Sequence, residues 1–487
     1  MFRLLILIHR YLGIAIGLVM VIWCLSGFVM MYMPYPSISQ QQSLDHLTEL
    51  DLSECCDSQK FQDLKLVDVN RFKIEMLAGE PIIRFSGSSR NNPIVDLRAG
   101  RRLDGVDKGL AQTIIKKSPS INKEDELTET TYSLVEKDQW TVTRFYQRHR
   151  PFHKFSEVKG KEQTEWYVSS STGEIFQQTT SQQRFWNYLG AIPHWLYPTA
   201  LRQHDELWEI TVIIISGLGV FLTVFGIVIG LQRFRKLSSG RRSPYRTVGL
   251  WHHYFGLVFG IFVLTWVFSG FISMNPGRLF DLSGGFKERE KLQGIPLSID
   301  DVKKFVDQLP TKMGSKIITK KIKRIEGYAL RSQFYILLID SEGQHERYNG
   351  NTFEEQKITS DEKEAIIHSV REHDDVLSQS LLTTADAYYY NDHDHGQRKF
   401  PVYKVVLNNP DTTHFYINAV SGEIAGFYSQ QQRWFRWIFS GLHQLDFNST
   451  IRSRPFWDIL VWLLLIGVTV VSVTGTYMGL KRLLKNN

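Results

Sequence analysis

The sequence predicts a membrane protein built from four transmembrane α-helices in a tandem-duplicated arrangement, with two extracytoplasmic α+β domains. Three observations predict it. Four apolar stretches of spanning length are separated by long polar segments, one short connection is strongly basic, and the chain matches itself at constant offsets.

Residues 11–33, 210–231, 254–275 and 457–480 are the apolar stretches. Each is long enough to cross a hydrocarbon core of roughly 30 Å at about 1.5 Å per residue. The slightly negative mean hydropathy averages them with the polar segments and so hides them. Length alone, at 487 residues, allows about three globular domains. The first stretch starts near Met1 and lacks a small-x-small cleavage site, so it reads as an uncleaved anchor.

Orientation follows from basic residues in short flanks. The connection "LQRFRKLSSGRRSPYR" carries Arg233, Arg235, Lys236, Arg241, Arg242 and Arg246 and no acid, and the tail "LKRLLKNN" is also basic. Both are expected in the cytoplasm, with both termini, and the long polar segments on the other side. In a Gram-negative bacterium that side is the periplasm, and the membrane is the inner one. The formal charge of +7 then reflects topology, and no nucleic-acid motif accompanies it.

The expected division is 1–34, first transmembrane helix; 35–181, first extracytoplasmic domain; and 182–232, an interfacial segment and the second helix. A cytoplasmic loop at 233–249 and a third helix at 250–276 follow. The second extracytoplasmic domain is 277–429, and 430–487 holds a second interfacial segment, the fourth helix and the tail. Cys24 lies in the first span, and the neighbours Cys55 and Cys56 make an awkward pair for an ordinary disulfide. Without a C-x-x-C-H, covalent haem attachment has no support.

Placing His9 on His252 pairs Tyr11 with Tyr254, Gly13 with Gly256, Gly17 with Gly260, Trp23 with Trp266, and "SGF" 26–28 with "SGF" 269–271. A second ungapped alignment pairs "TGEI" 172–175 with "SGEI" 421–424, Arg184 with Arg433, His194 with His443, Trp208 with Trp457, and Gly226 and Gly230 with Gly475 and Gly479. The pattern is span, outside segment, span, written twice in the same orientation. A parallel repeat predicts a pseudo-two-fold axis along the membrane normal.

Inside the polar segments, "PIVDLRAGRRL", "HERYNGNTFEE", "WYVSSSTGEIF" and "FYINAVSGEIA" each read as a hairpin, a β-rich run turning at a Gly-containing loop. "PLSIDDVKKFVDQLP" reads as a helix capped by Ser298, with Asp301 at its positive end. A helix laid on an antiparallel sheet is the expected unit.

The "H-[RH]-Y-[LF]-G" openings, the "SGF" closes, the late "PH" or "LH" before an aromatic-rich helix and the "[TS]-G-E" hairpins resemble the PepSY-associated transmembrane family, over nearly the whole chain. The outside domains would accordingly be PepSY-like. Ser170 and Ala419 stand near the place where the family's hairpins carry an acid. Members with this layout include inner-membrane ferrisiderophore reductases of the ferrioxamine type, with b-type haems among four helices. The resemblance therefore implies an oxidoreductase that reduces a ferric siderophore or other iron chelate during iron uptake. Its electron donor would be a quinol or a cytoplasmic reductase.

The histidines bear on this directly. Ionisable groups at a membrane are costly and tend to be functional, although a lone histidine at a helix end also sits comfortably among headgroups. Duplication makes His9 and His252 face each other near one membrane side, and His194 and His443 near the other. Neutral imidazoles are axial ligands for haem iron, and bis-histidine ligation suits electron transfer. Two noncovalent haem b groups are expected, their iron held by His9 with His252 and by His194 with His443. His253 competes with His252, its counterpart being Arg10. Gly13, Gly17, Gly256 and Gly260 leave one helical face bare for a flat macrocycle, or else pack helices closely.

A single helix from His194 to Arg233 would be roughly 58 Å long, so "RFWNYLGAIPHWLYP" and "RWFRWIFSGLHQLDF" are expected at the interface. His393 and His395, with His149 and His153 in the matching region, are candidates for contact with an iron chelate, solvated loop histidines being the default reading. Tyr388, Tyr389 and Tyr390 are expected to pack a sheet. No H-E-x-x-H, P-loop or G-x-G-x-x-G pattern occurs, so no nicotinamide or flavin domain is expected. The competing reading is a nonredox PepSY sensor or protease regulator. A transporter is a third reading, disfavoured by the few acids in the spans.

Overall fold

The structure, a computed structural model, describes residues 2–57, 68–86, 93–121, 129–159, 162–238, 240–371, 373–391 and 398–485. The chain divides into two compact units, one holding the four long helices (1–35, 182–282 and 431–487) and one holding the sheets (36–181 and 283–430).

In the helical unit the spans are Phe2–Met30, Asp205–Arg233, Thr247–Ser273 and Phe456–Lys485. All four are long and apolar enough to cross a membrane, and each satisfies its backbone internally, as hydrocarbon requires. The first and third spans each pack against the second and fourth, which closes a ring of four. Small residues set the close approaches. A Cβ on Gly17 would lie 2.7 Å from Thr476 Oγ1, and one on Gly260 would lie 3.1 Å from Ile227 Cγ1. Gly219 meets Val267 and Gly467 meets Phe259 in the same manner. Leu18, Phe221, Val258 and Leu463 point outward, as lipid-facing side chains do.

The helices start earlier than the apolar stretches do. His9 therefore lies two turns inside the first helix, and His252 in the second turn of the third, rather than at their mouths. The second span begins at Asp205, with Asp205 and Glu206 on its positive end. Ahead of it the chain breaks into Ser181–Leu189, Ala191–His194 and Thr199–Arg202, so the over-long straight helix is avoided as expected. Phe185, Trp186, Tyr188, Trp195 and Trp434 are exposed in these aromatic segments.

In the other unit the two polar segments do not stay apart. A seven-stranded antiparallel sheet runs in the order His345–Asn349, Gln333–Asp340, Ile322–Leu330, Arg71–Leu77, Glu80–Ser86, Ile94–Asp96, Arg101–Leu103. Its seam is the pairing of Arg71–Leu77 with Ile322–Leu330, which places Phe72 opposite Gly327 and Glu75 opposite Arg324. Each strand would be an unpaired edge in its own half, and joining them removes both liabilities. Gly327 is required there, since a Cβ would overlap the Phe72 ring.

Four-stranded sheets flank the seam, Glu129–Val135 through Ile175–Thr180 in one half and Val376–Leu382 through Ile424–Tyr428 in the other. Helices Lys108–Lys117 and Ser360–Arg371 contribute to their cores, the expected helix-on-sheet unit. The hairpins at 93–103, 166–176 and 415–425 form, whereas 345–355 gives one strand closed by an isolated bridge from Tyr348 to Glu355.

Ser298 caps its helix, accepting from the Asp301 amide at 3.1 Å. That helix continues through Pro310 to Thr319, beyond the predicted stop. Burial of Met313 and Ile317 in the core of the seven-stranded sheet offsets the hydrogen bond lost at the proline. Tyr389 stacks on Tyr416 at 5.0 Å between ring centres, so the tyrosine run packs a sheet. The structure joins Cys55 to Cys56 in a disulfide.

Candidate functional site: two facing histidine pairs

Within the helical unit the four histidines meet in two pairs. The ring centres of His9 and His252 are 6.3 Å apart, and those of His194 and His443 are 6.0 Å apart. An imidazole nitrogen binds a transition-metal ion at about 2 Å, and about 1 Å more reaches each ring centre. Two trans imidazoles on one ion thus sit about 6 Å apart.

The remaining nitrogen of each ring is held. His9 Nδ1 lies 2.9 Å from the Leu222 carbonyl, and His252 Nδ1 lies 3.1 Å from the carbonyl of Val471, the counterpart of Leu222 in the repeat. A carbonyl only accepts, so Nδ1 donates and the Nε2 lone pair is left bare. His194 Nδ1 is 3.0 Å from Ser26 Oγ and His443 Nδ1 is 2.9 Å from Ser269 Oγ. The Ser26 hydroxyl spends its proton on the Ile22 carbonyl at 2.7 Å, and that of Ser269 on the Trp266 carbonyl at 3.0 Å. Both serines therefore accept from the imidazoles. Among the described residues no hydrogen bond engages Nε2 of any of the four. Fixing Nδ1 in this way sets tautomer and ring orientation in metal-ligating histidines.

Room for the rings comes from glycines that the sequence reading paired but did not assign to the site. A Cβ on Gly226 would lie 2.7 Å from His9 Cε1, and one on Gly475 would lie 2.9 Å from His252 Cε1. By contrast Gly17 and Gly260 face neighbouring helices, and nothing lies near Gly256. The small-residue stripe at 17 and 260 is thus helix packing, since those positions point along the ring of spans. The "SGF" repeats were legible as a motif, but the task of Ser26 and Ser269 appears only when the second half of each repeat folds back.

His194 and His443 reach the bundle by different local routes. Gly190 lets the short Ala191–His194 turn press on the first span, where a Cβ would lie 2.9 Å from Val29 Cγ1. His443 follows a π-helical turn at Trp437–Gly441, a distortion common at functional positions. Buried Asp446 holds that segment, 3.3 Å from Arg436 Nη2 and 2.5 Å from Arg452 Nε. From His9 to Ser26, and from His252 to Ser269, the helices rise about 26 Å, so the two pairs stand at opposite ends of the bundle.

His253 has both nitrogens engaged, Nδ1 with Ser243 Oγ at 2.8 Å and Nε2 with the Gly230 carbonyl at 2.9 Å. It ties the basic connection to the second span and has no lone pair to offer a metal. His149 and His153 are buried, not solvated. His149 stacks on Phe176 at 4.3 Å between ring centres, and burial holds it down at about 4. His153 is bonded to the Val106 carbonyl at 2.6 Å and to Tyr132 Oη at 3.2 Å. His393 and His395 lie outside the described residues. Among the described residues no group of three or more His, Cys, Asp or Glu is arranged around a metal position.

A search of curated proteins returned no match. The model of a family described as "PepSY-associated TM region" matches residues 6–285, a stretch that includes His9, His194, His252, most of the first span and all of the second and third. That match covers more than half of a chain whose remainder repeats it, and the protein belongs to the PepSY-associated TM region family.

Proposed function

We propose that this chain is a transmembrane di-haem b electron-transfer protein that reduces an extracytoplasmic acceptor, ferric iron in a siderophore or another chelate. The observation that carries the reading is the pair of imidazole couples, 6.3 and 6.0 Å between ring centres, with Nδ1 held and Nε2 bare. Haem b bound there would supply a one-electron ferric/ferrous couple. His9 and His252 would hold the iron near the basic, cytoplasmic side, and His194 and His443 the iron near the opposite side of a bacterial inner membrane.

The chain's own part is to hold and insulate. Leu222 and Val471 carbonyls at one end, and Ser26 and Ser269 hydroxyls at the other, keep each imidazole in the tautomer that presents Nε2. Apolar side chains such as Met20, Val263, Val267, Leu465 and Val468 fill the bundle between, and keep water and ions out of a path that electrons cross. The donor, a quinol or a cytoplasmic reductase, gives one electron for each ferric ion reduced. Reduction weakens the hold of hard oxygen ligands on iron.

The membrane-solubilised protein is expected to be red and to give sharp α and β bands on reduction with dithionite, with two haems per polypeptide. A colourless preparation from porphyrin-supplied cells would overturn the reading and favour the nonredox sensor or protease regulator. A companion expectation tests the glycines. Gly226→Val places methyl groups where the His9 ring lies, and should remove about half of the haem while Gly256→Ala, with nothing within 4 Å of its Cβ, leaves the spectrum unchanged.

A further inference from the structure

The sheet-bearing unit contains a partly open cavity of about 730 Å³, within the range of small-molecule sites. Among the described residues its wall carries Arg71, Lys73, Arg289, Arg324, Arg398 and Lys399, against Glu326 and Glu423. The carboxylates are already used. Arg71 pairs with both of them, 2.9 Å from Glu326, and Lys73 lies 3.8 Å from Glu326. Arg324 is committed to Glu75 at 3.0 Å.

Three cations remain without a carboxylate partner among the described residues. Among the described residues the Arg398 side chain reaches the Ala425 carbonyl at 3.3 Å and Tyr428 Oη at 3.5 Å, and its Nε is buried with no hydrogen-bond partner. Its guanidinium lies 5.0 Å from the centre of the Tyr389 ring, which fixes its plane. Lys399 contacts His345 Nε2 and the Gly343 carbonyl. Burial holds Lys399 below the usual lysine range, and burial together with Lys399 holds His345 down at about 4. Arg289, at the exposed mouth, bonds the carbonyls of Ile424 and Gly284.

Partly buried cations that lack a directly paired carboxylate are stabilised by an entering anion. Guanidinium forks match carboxylates in pairs. The repeat underlines the point, since "RHRP" at 148–151 stands where "RKFP" stands at 398–401. His149 occupies the place of Lys399 in the first half, where it stacks on Phe176.

We propose that this cavity binds a small organic polycarboxylate through Arg289, Arg398 and Lys399. Combined with the redox reading, on which this clause alone rests, the site selects anionic ferric chelates such as ferric citrate over cationic hydroxamate chelates.

The test is calorimetric titration of the full chain in detergent with citrate, ferric citrate, inorganic phosphate and the cationic ferrioxamine B. Citrate and ferric citrate are expected to bind, and to bind more weakly as salt rises. Arg398→Gln with Lys399→Gln, and separately the surface change Arg289→Gln, should each weaken binding roughly tenfold. Lys303→Gln, on a helix away from the cavity, should not. Absence of citrate binding, binding of phosphate in its place, or indifference to both cavity variants would overturn the proposal. A colourless protein that still binds citrate would sink the redox reading alone, and a red protein that does not would sink this site alone.

Discussion

His9→Ala or His252→Ala is expected to lower the haem content of the purified protein from two per polypeptide to one, read by pyridine haemochromogen assay. The surviving group should keep the low-spin spectrum of bis-histidine ligation. His194→Ala or His443→Ala should also leave one haem, but the other one, so the two classes of variant should differ in α-band position and in midpoint potential. The expectation follows from geometry. Each pair is built from two different halves of the repeat, and removing one ring leaves a single imidazole where two stand 6.3 or 6.0 Å apart. The pairs are about 26 Å apart along the spans, so loss of one should not propagate to the other. His253→Gln is the internal control, because that ring's nitrogens are spent on Ser243 and Gly230. If all four alanine variants keep two haems, the ligand assignment is wrong.

Glu75→Gln is expected to destabilise the sheet-bearing unit by about 3–5 kcal/mol, the usual cost of breaking a buried ion pair from one side. Glu75 is 1% exposed and receives Arg84 Nε at 2.7 Å and Arg324 Nε at 3.0 Å. It thereby locks the seam between the two halves, because Arg324 sits opposite it on the partner strand. Burial alone would raise this carboxyl, but Arg324, Arg84 and Lys73 outweigh burial and hold it down at about 2, from an ordinary 4.5. The folded pKa is thus below the unfolded one. The stabilisation is complete above the unfolded value and fades as pH falls from there through about 2. Hydrogen exchange of Arg71–Leu77 and Ile322–Leu330 measures it. Wild type should be far better protected than Glu75→Gln at pH 7, and the difference should narrow near pH 3. Equal protection at pH 7 would show that the ion pairs do not hold the seam.

Much of this architecture is local information. Apolar runs of spanning length, a basic connection without acids and a Ser298 cap are each set by a few neighbouring residues, and solvent physics alone makes them readable. The repeat made the histidines legible as pairs, since equal positions in two halves related by an axis lie at the same depth and meet where they point toward that axis. The small-residue stripe leaves two readings open in the sequence, because spacing tells that a helical face is bare without telling what lies against it. For His149 and His153 a solvated loop is the default in the sequence, because a polar composition does not show that His149 stacks on Phe176 or that His153 bonds the Val106 carbonyl.

By itself the sequence determined four spans, their duplication and the pairing of His194 with His443 and of His9 with His252 or its neighbour His253, because hydrophobic length and internal identity need no third dimension. Only the tertiary structure decided the rest. It gave Gly226 and Gly475, not Gly256, the space beside the rings, and it took both nitrogens of His253 out of contention. It also joined Arg71–Leu77 to Ile322–Leu330 in one sheet. Those outcomes depend on which atoms come within about 3 Å of each other across hundreds of residues, and hydrogen bonding and close packing act only at that range.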